Sequence, residues 1–139
     1  MSIPYASLCE PLVRAARRMA SDGHVAGTSG NVSVRVPGER ELLITPSSLP
    51  YPDLTPEDMV LMDFDGEMLS EGRAPSVENG MHLRVFQERE DVRAVFHTHS
   101  RAASALAALH LPLPPFLDEL VMYLGGAVQV APYALSGSD

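Results

Sequence analysis

The chain has 139 residues, of which 45% are hydrophobic and 20% charged, and this length and composition are typical of one globular domain and exclude a disordered chain. The formal net charge is −8, and because a negative field repels phosphate backbones, we expect no nucleic-acid partner. The single cysteine, Cys9, cannot form an internal disulfide and the N-terminus lacks the pattern of a signal peptide, so we expect a cytoplasmic protein.

The N-terminal part of the chain predicts a helix, a glycine loop and a β-hairpin. Apolar residues recur at helical spacing over residues 4–22, and Gly23 follows where a left-handed residue commonly ends a helix. After the loop, residues 32–36 alternate valine with polar residues, which is the period of a strand. Residues 37–40 then predict a tight turn, and residues 41–44 the returning strand.

The rest of the chain alternates short strands and helices. The predicted strands span residues 59–63, 67–69, 92–97 and 127–131. The predicted helical segments span residues 53–58, 76–88, 100–109 and 116–124. Ser76 is the expected N-cap of its helix, and the apolar run Ala94-Val95-Phe96 predicts a central strand. Hairpins require antiparallel pairing, so we expect an α/β or α+β fold with a mixed or mostly antiparallel sheet and helices on both faces.

Residues 120–138 carry no charge and need to be considered as a membrane span. Gly125, Gly126 and Pro132 interrupt this run, whereas a spanning helix needs about 20 predominantly apolar residues. We interpret the segment as a helix end, a turn and a buried strand, and we expect no membrane partner.

The strongest chemical signal is His97-Thr98-His99 at the end of a predicted strand. Residues i and i+2 of a strand point to the same face, so both imidazoles could bind one metal ion. Such a pair is a weak motif by itself, and two ordinary polar residues that close a strand are the alternative interpretation.

Glu78 lies near the start of the preceding helix, where the helix dipole stabilises a carboxylate without any catalytic role. If it faces His97 and His99, it becomes a metal ligand or a general base. His82 follows one helical turn later, and we interpret it as a structural histidine whose ring nitrogens are satisfied locally.

Two small polar loops could hold an anion. The loop Gly27-Thr28-Ser29-Gly30-Asn31 offers backbone N–H groups, and Thr45-Pro46-Ser47-Ser48 offers hydroxyls at a strand end. Ser76 adds a hydroxyl at a helix N-terminus, which favours negative charge. Neither loop is a P-loop, and each by itself is more typical of an ordinary turn.

Several segments gain specificity because they occur together and in order. They are Gly27-Thr28-Ser29-Gly30-Asn31-Val32-Ser33, Ile44-Thr45-Pro46-Ser47-Ser48-Leu49-Pro50-Tyr51, Pro75-Ser76-Val77-Glu78, His97-Thr98-His99 and Ala131-Pro132-Tyr133. This ordered set resembles the class II aldolase/adducin family, which includes sugar-phosphate aldolases and epimerases. The resemblance extends from about residue 8 to the end of the chain.

The resemblance implies an α/β fold with three α/β/α layers around a mostly antiparallel sheet, and residues 1–139 as a single domain of this type. It implies a divalent metal ion, zinc or alternatively manganese or another divalent ion, bound by His97, His99 and Glu78. Glu78 is also implied as the catalytic acid or base, and the metal ion as the Lewis acid that polarises a ketone and stabilises an enediolate. A homo-oligomer, usually a tetramer, is implied too. The residues implied around the substrate and its phosphate are Gly30, Asn31, Thr45, Ser47, Ser48 and Ser76.

The chain departs from the family pattern at Ser48, where aldolases tend to have glycine, and at Val77, where they often have a second serine. Both changes weaken the expectation of a phosphate, so an unphosphorylated or carboxylated substrate is an alternative. The chain also ends before the family's His-His-Gly segment, which carries a third metal-binding histidine, and before a late catalytic tyrosine, so we expect it to be C-terminally incomplete.

Two hypotheses about function follow from the pattern. The first is a metal-dependent aldolase-type lyase, or a related epimerase, dehydratase or decarboxylase, acting on a small hydroxylated carbonyl compound or a sugar phosphate. The second is a non-catalytic, adducin-like binding module. Retention of Glu78, His97 and His99 together favours the first, because a binding module has no need of them.

Overall fold

The computed structural model describes residues 5–135 of the chain. The strands are β1 (Asn31–Arg35), β2 (Glu41–Ile44), β3 (Val60–Asp63) and β4 (Ala94–His97). The helices are α1 (Ala6–Ser21), α2 (Asn79–Glu88), α3 (Arg101–Ala108) and α4 (Asp118–Leu124). Short 3-10 turns at Tyr51–Asp53 and Pro56–Asp58 precede β3.

The four strands form one sheet in the order β3-β2-β1-β4, with antiparallel pairing between all neighbours. The hairpin between β1 and β2 forms where the alternating valines and the turn predict it. On the β1–β4 border Asn31 pairs with His97 and Ser33 with Val95. Directly opposed residues share a face of the sheet, so this register brings the start of β1 beside the end of β4.

A helix covers each face of the sheet. On one face α1 buries Leu12, Ala16 and Met19 in a core that includes Val32 and Leu43 of the strands. On the other face Leu83 and Phe86 of α2 pack in a second core with Leu42 and Ile44. Alternate residues of β2 therefore serve opposite cores, as the two-residue period of a strand requires. The predicted α/β/α layering is present in the described residues.

Two predicted boundaries shift. The first helix is confirmed as α1, and Pro4, its predicted start, lies outside the described residues. Ser76 is not an N-cap, because α2 begins at Asn79 with Glu78 at the N-cap position. Ser76 instead forms the turn before the helix, in which its Oγ accepts a 3.3 Å hydrogen bond from the Glu78 N–H.

The prediction of a central strand at residues 92–97 is wrong, because β4 lies at the edge of the sheet among the described residues. Phe96 of this strand is half exposed. The predicted strand at residues 127–131 is reduced to a single bridge between Leu113 and Val128, and the one at residues 67–69 to a bridge between Met62 and Met68.

The C-terminal segment is less packed than the two cores. Neither α3 nor α4 contains a buried residue, and residues 127–131 are mostly exposed, so the buried strand expected there is wrong. No helix within residues 5–135 has the length and apolar character needed to cross a bilayer.

Candidate active site

The predicted site residues converge at the end of the sheet where β1 begins and β4 ends. Asn31 and His97 face each other in the strand register. Glu78 joins them from the N-cap position of α2, because the packing of Leu83 and Phe86 fixes that helix against the sheet. His99 follows two residues after the end of β4.

Three side-chain donors meet here. His97 Nε2 lies 3.0 Å from His99 Nε2 and 3.3 Å from Glu78 Oε2. Ligand atoms of all three residues lie within 4.8 Å of one another, and this is the one such group of three among the described residues. In a tetrahedral zinc site with bonds of about 2.0–2.1 Å, ligand atoms lie about 3.3 Å apart. The donor set therefore fits a divalent metal ion, with two imidazoles and one carboxylate.

The histidine pair is held differently from the sequence prediction. The strand ends at His97, so His99 is positioned by the following loop and not by strand periodicity. Its backbone N–H donates a 3.0 Å hydrogen bond to the carbonyl of His24. The two imidazole rings lie at 90° with centroids 4.9 Å apart, which brings their Nε2 atoms together beside Glu78.

Asn31 connects the carboxylate to the sheet. Its side chain is buried, and its Nδ2 donates to Glu78 Oε2 at 2.7 Å and to Ser76 Oγ at 2.8 Å. Glu78 is therefore held from one side by Asn31 and lies beside His97 on the other. The family resemblance implies Asn31 as a substrate residue, and the sequence gives no signal of this contact.

His82 lies directly behind Asn31 and is fully buried. Its Nε2 lies 2.5 Å from Asn31 Oδ1, and its Nδ1 lies 2.6 Å from Ser33 Oγ. Burial, reinforced by the neighbouring His97, lowers the pKa of His82 to about 4, although Glu78 acts in the opposite direction. Both ring nitrogens have hydrogen-bond partners, but the expectation that these partners are local is wrong, because both lie on β1 and not on the helix of His82.

A cavity of about 310 Å³ opens beside the three donors. Glu78 and His99 line it, together with five of the predicted substrate residues: Gly30, Asn31, Ser47, Ser48 and Ser76. The sixth, Thr45, is buried outside this lining, where its Oγ1 accepts a 3.2 Å hydrogen bond from the Val32 N–H. The cavity lining thus combines residues of both polar loops with Glu78 and His99.

Gly30 has a packing reason to be glycine. Its φ is +75°, and a Cβ at this position would lie 2.6 Å from the His97 carbonyl oxygen and 2.6 Å from Val25 Cγ1. The glycine loop therefore packs directly on the backbone of a proposed metal ligand. Tyr51 holds the same loop, because its hydroxyl donates to the carbonyls of Ser29 at 3.1 Å and Gly30 at 2.8 Å. Burial raises the pKa of Tyr51 to about 12, so this phenol stays protonated as a donor.

The two departures from the family pattern both lie at the cavity. Ser48 adopts a left-handed backbone with φ of 58°, which explains why glycine suits this position. Val77 is 69% exposed and contributes an apolar side chain to the lining.

Residues 10–139 match the family described as Class II Aldolase and Adducin N-terminal domain. A 5-deoxy-D-ribulose 1-phosphate aldolase of Bacillus thuringiensis serovar kurstaki is 38% identical over 129 residues, which are 93% of this chain and 60% of that protein. A 5-methylthioribulose-1-phosphate/5-deoxyribulose-1-phosphate aldolase of Rhodospirillum rubrum is 42% identical over 127 residues, 91% of this chain and 56% of that protein. The chain thus spans less than two thirds of the length of these relatives.

The fold agrees with these matches. The solved structure of an L-fuculose 1-phosphate aldolase superposes with a TM-score of 0.91 at 32% identity, covering 98% of this chain and 64% of that one. The expected α/β fold with a mostly antiparallel sheet is therefore confirmed. The chain belongs to the class II aldolase and adducin N-terminal domain family.

Proposed function

We propose that the protein carrying this chain is a divalent-metal-dependent, aldolase-type lyase that acts on a ketose 1-phosphate. The observation that carries the proposal is the convergence of Glu78, His97 and His99 beside a polar cavity. The relatives named above support the substrate class, since their names specify aldolases of five-carbon ketose 1-phosphates. A binding module has no use for three convergent metal-type donors, so the adducin-like alternative is disfavoured.

The proposed metal ligands are Glu78, His97 and His99, and zinc is the proposed ion because nitrogen donors with a carboxylate suit it. When bound, the ion supplies Lewis-acid polarisation of the substrate carbonyl. Glu78 is the proposed acid/base that moves a proton at the adjacent substrate carbon. Glu78 lies at the N-cap position of α2, and the hydrogen bond from Asn31 keeps one carboxylate oxygen in place.

The proposed phosphate subsite is the part of the cavity formed by the two polar loops. Ser47, Ser48, Ser76 and Gly30 line it, and we propose their hydroxyl and backbone N–H groups as the donors. The −8 net charge gives no general attraction for an anion, so binding depends on these local donors. Thr45 lies outside the cavity lining, and its Oγ1 accepts a hydrogen bond from the Val32 N–H.

The metal site is tested by the zinc content of the purified chain after incubation with Zn²⁺ and desalting. Wild type is expected to retain about one ion per chain, and His97→Ala none. His24→Ala is the matched control, because its side chain is exposed and its backbone carbonyl remains available to His99. Equal zinc content in wild type and His97→Ala would overturn the proposed ligand set.

Catalysis is tested by retro-aldol cleavage of 5-deoxyribulose 1-phosphate, with the Bacillus thuringiensis relative as positive control. Glu78→Gln keeps the shape and removes the base, so it should reduce the rate by about 10²–10⁴-fold. Glu90→Gln changes an exposed carboxylate away from the site and should leave the rate unchanged. If Glu78→Gln retains the wild-type rate, Glu78 is not the proton-transferring residue.

We further propose that the protein is a cytoplasmic homo-oligomer, tetrameric by resemblance, in which residues 1–139 form a single domain. The single cysteine supports the compartment. The exposed apolar side chains of the C-terminal segment support self-association.

A further inference from the structure

A buried chain of hydrogen bonds runs from the interior of the protein to the proposed acid/base. It begins at Ser33, passes through His82 and Asn31, and ends at Glu78. Ser33 and His82 are fully buried and Asn31 nearly so. The members come from β1 and from the region where α2 begins, so the packing of that helix on the sheet completes the chain.

The direction of each hydrogen bond is determined by its neighbours. Asn31 Nδ2 uses its two N–H groups on Glu78 Oε2 and Ser76 Oγ. Asn31 Oδ1 is therefore the acceptor that faces His82 Nε2, which must carry a hydrogen. In the neutral ring Nδ1 is then an acceptor, and Ser33 Oγ donates to it. This assignment follows from donor and acceptor chemistry around the ring.

A flipped amide would be unfavourable at this position. It would point Asn31 Oδ1 at the Glu78 carboxylate and at the same time turn an NH₂ group toward the N–H of His82. Both contacts would oppose like partial charges, and buried polar groups without partners are costly. The N–H on His82 Nε2 therefore selects the one amide orientation that donates to Glu78.

We propose that His82 is a positioning residue that fixes the amide of Asn31 and, through it, the carboxylate of Glu78 toward His97. The catalytic consequence rests on the function proposed above, whereas the tautomer and the amide orientation do not. Ser33 contributes by holding the ring from behind. His82 touches none of the three proposed metal ligands in this chain of bonds; it acts through Asn31.

Two amide substitutions of His82 test the hydrogen bonds of its two ring nitrogens separately. His82→Gln places an NH₂ group near the position of Nε2 and can still donate to Asn31. His82→Asn is one methylene shorter, so its amide lies near the position of Nδ1 and reaches Ser33 but not Asn31. Both variants introduce the same functional group into the same buried position, which makes each the control for the other.

The first measurement is Zn²⁺ affinity, determined by calorimetry on the metal-free 139-residue chain, with circular dichroism to establish folding. Residues that orient metal ligands typically change affinity by about 10- to 100-fold when replaced. We expect that loss for His82→Asn, and for His82→Gln an affinity within about threefold of wild type. Equal losses in the two folded variants would overturn the proposal.

The second measurement is independent of metal and of activity. Nitrogen-15 NMR of the wild-type chain at neutral pH should show His82 as the neutral Nε2–H tautomer, and both Asn31 side-chain protons protected from exchange. An Nδ1–H tautomer overturns the proposal even if the variants do not fold. If wild type fails to bind Zn²⁺ but shows this tautomer and protection, the proposed metal function fails while the positioning of Glu78 by His82 stands.

Discussion

Gly30 couples the geometry of the glycine loop to that of the proposed metal site. Its Cα lies so close to β4 that an added Cβ would meet the His97 carbonyl oxygen at 2.6 Å. The other partner at that distance, Val25 Cγ1, belongs to a buried side chain. Neither neighbour is the free end of a flexible side chain, so relief requires movement of the backbone.

Gly30→Ala should therefore lower the free energy of unfolding by roughly 2–4 kcal/mol, from left-handed strain and overpacking together. Gly27→Ala is the matched control, because Gly27 also has a positive φ but an added Cβ there would meet no atom within 4 Å. In this control the free energy of unfolding should fall only by the cost of left-handed strain, about 1–2 kcal/mol. Urea unfolding measures both, and equal losses would contradict the close approach to His97.

The buried His82 makes stability depend on pH. Burial lowers its pKa from an ordinary 6.5 to about 4. Between these values the unfolded chain binds a proton on this ring and the folded chain does not, so the free energy of unfolding falls as the pH falls. Above pH 6.5 the ring is neutral in both states and has no effect on this pH dependence, and by about pH 4 it has lowered the free energy of unfolding by roughly 3 kcal/mol.

The expected measurement is urea unfolding of the metal-free chain at several pH values in this range. His82→Gln has no titrating ring, so its stability should decrease less steeply with acidification than that of wild type. The contribution of the carboxylates to the pH dependence is the same in both proteins, so it cancels when the two curves are compared. Parallel curves would show that His82 is not kept neutral by the fold.

At the residue scale, local spacing predicts the parts of the site that are close together along the chain, and Glu78 is added only by the family resemblance. His97 and His99 are two residues apart, and their convergence is predictable even though a loop, and not the strand, positions His99. The contact of Asn31 with Glu78 spans 47 positions, and its contact with His82 spans 51. Both depend on the register of β1 with β4 and on how α2 packs, which no local pattern specifies.

At the scale of elements, Arg35 ties the end of α2 to the sheet. From β1 its guanidinium donates to the carbonyls of Phe86, Arg89 and Val92. The same group lies 4.8 Å from the ring centre of Phe64 and 5.0 Å from that of Phe86. It satisfies the carbonyl of Phe86 in the last turn of α2, where carbonyls lack partners within the helix. Its planar cation also lies over the two aromatic rings.

Arg35→Lys retains the charge but loses the planar fork, so it should lower the free energy of unfolding by about 1.5–3 kcal/mol. Hydrogen exchange should accelerate most in the last turn of α2. Arg84→Lys is the control, since Arg84 pairs with Glu88 on the exposed side of the same helix and such pairs contribute about 0–1 kcal/mol. Equal destabilisation by the two substitutions would argue against the anchoring role of Arg35.

Local periodicity predicts the elements themselves, including α3 and α4, which contain no buried residue, but it predicts their surroundings only where the burial pattern is complete. The valine alternation of β1 and the helical spacing of α1 both match faces that are covered by a neighbour. The apolar run of β4 indicates side chains that favour burial, but it does not specify whether a strand lies on each side. For that reason the run predicts a central strand, although β4 lies at the sheet edge.

At the scale of the whole molecule, apolar surface is distributed unevenly. The two cores lie against α1 and α2, whereas the segment from α3 onward exposes most of its large apolar side chains. Those at least half exposed there are Leu109, Leu111, Phe116, Leu117, Val121, Met122, Tyr123, Leu124, Tyr133 and Leu135. Large exposed apolar areas are uncommon on monomeric proteins and are typical of interaction sites.

β4 adds a second reason for association. It is an edge strand in the described sheet, and its Phe96 is half exposed. Unpaired edges with apolar side chains favour pairing with another chain. The predicted partner is a second copy of this chain, because the same surface is present on every molecule in a pure sample.

We therefore expect the 139-residue chain to sediment as species larger than a monomer, with the larger fraction increasing with concentration. Met122→Glu introduces a charge on α4 at a side chain that is 73% exposed, and it should shift the distribution toward monomer. Met68→Glu, at a side chain that is 46% exposed beside β3, makes the same chemical change outside the C-terminal segment and should have little effect. Analytical ultracentrifugation distinguishes the variants. A wild-type monomer at all concentrations would show that this apolar surface does not drive self-association. Equal effects of the two substitutions would show that the added charge matters and its location does not.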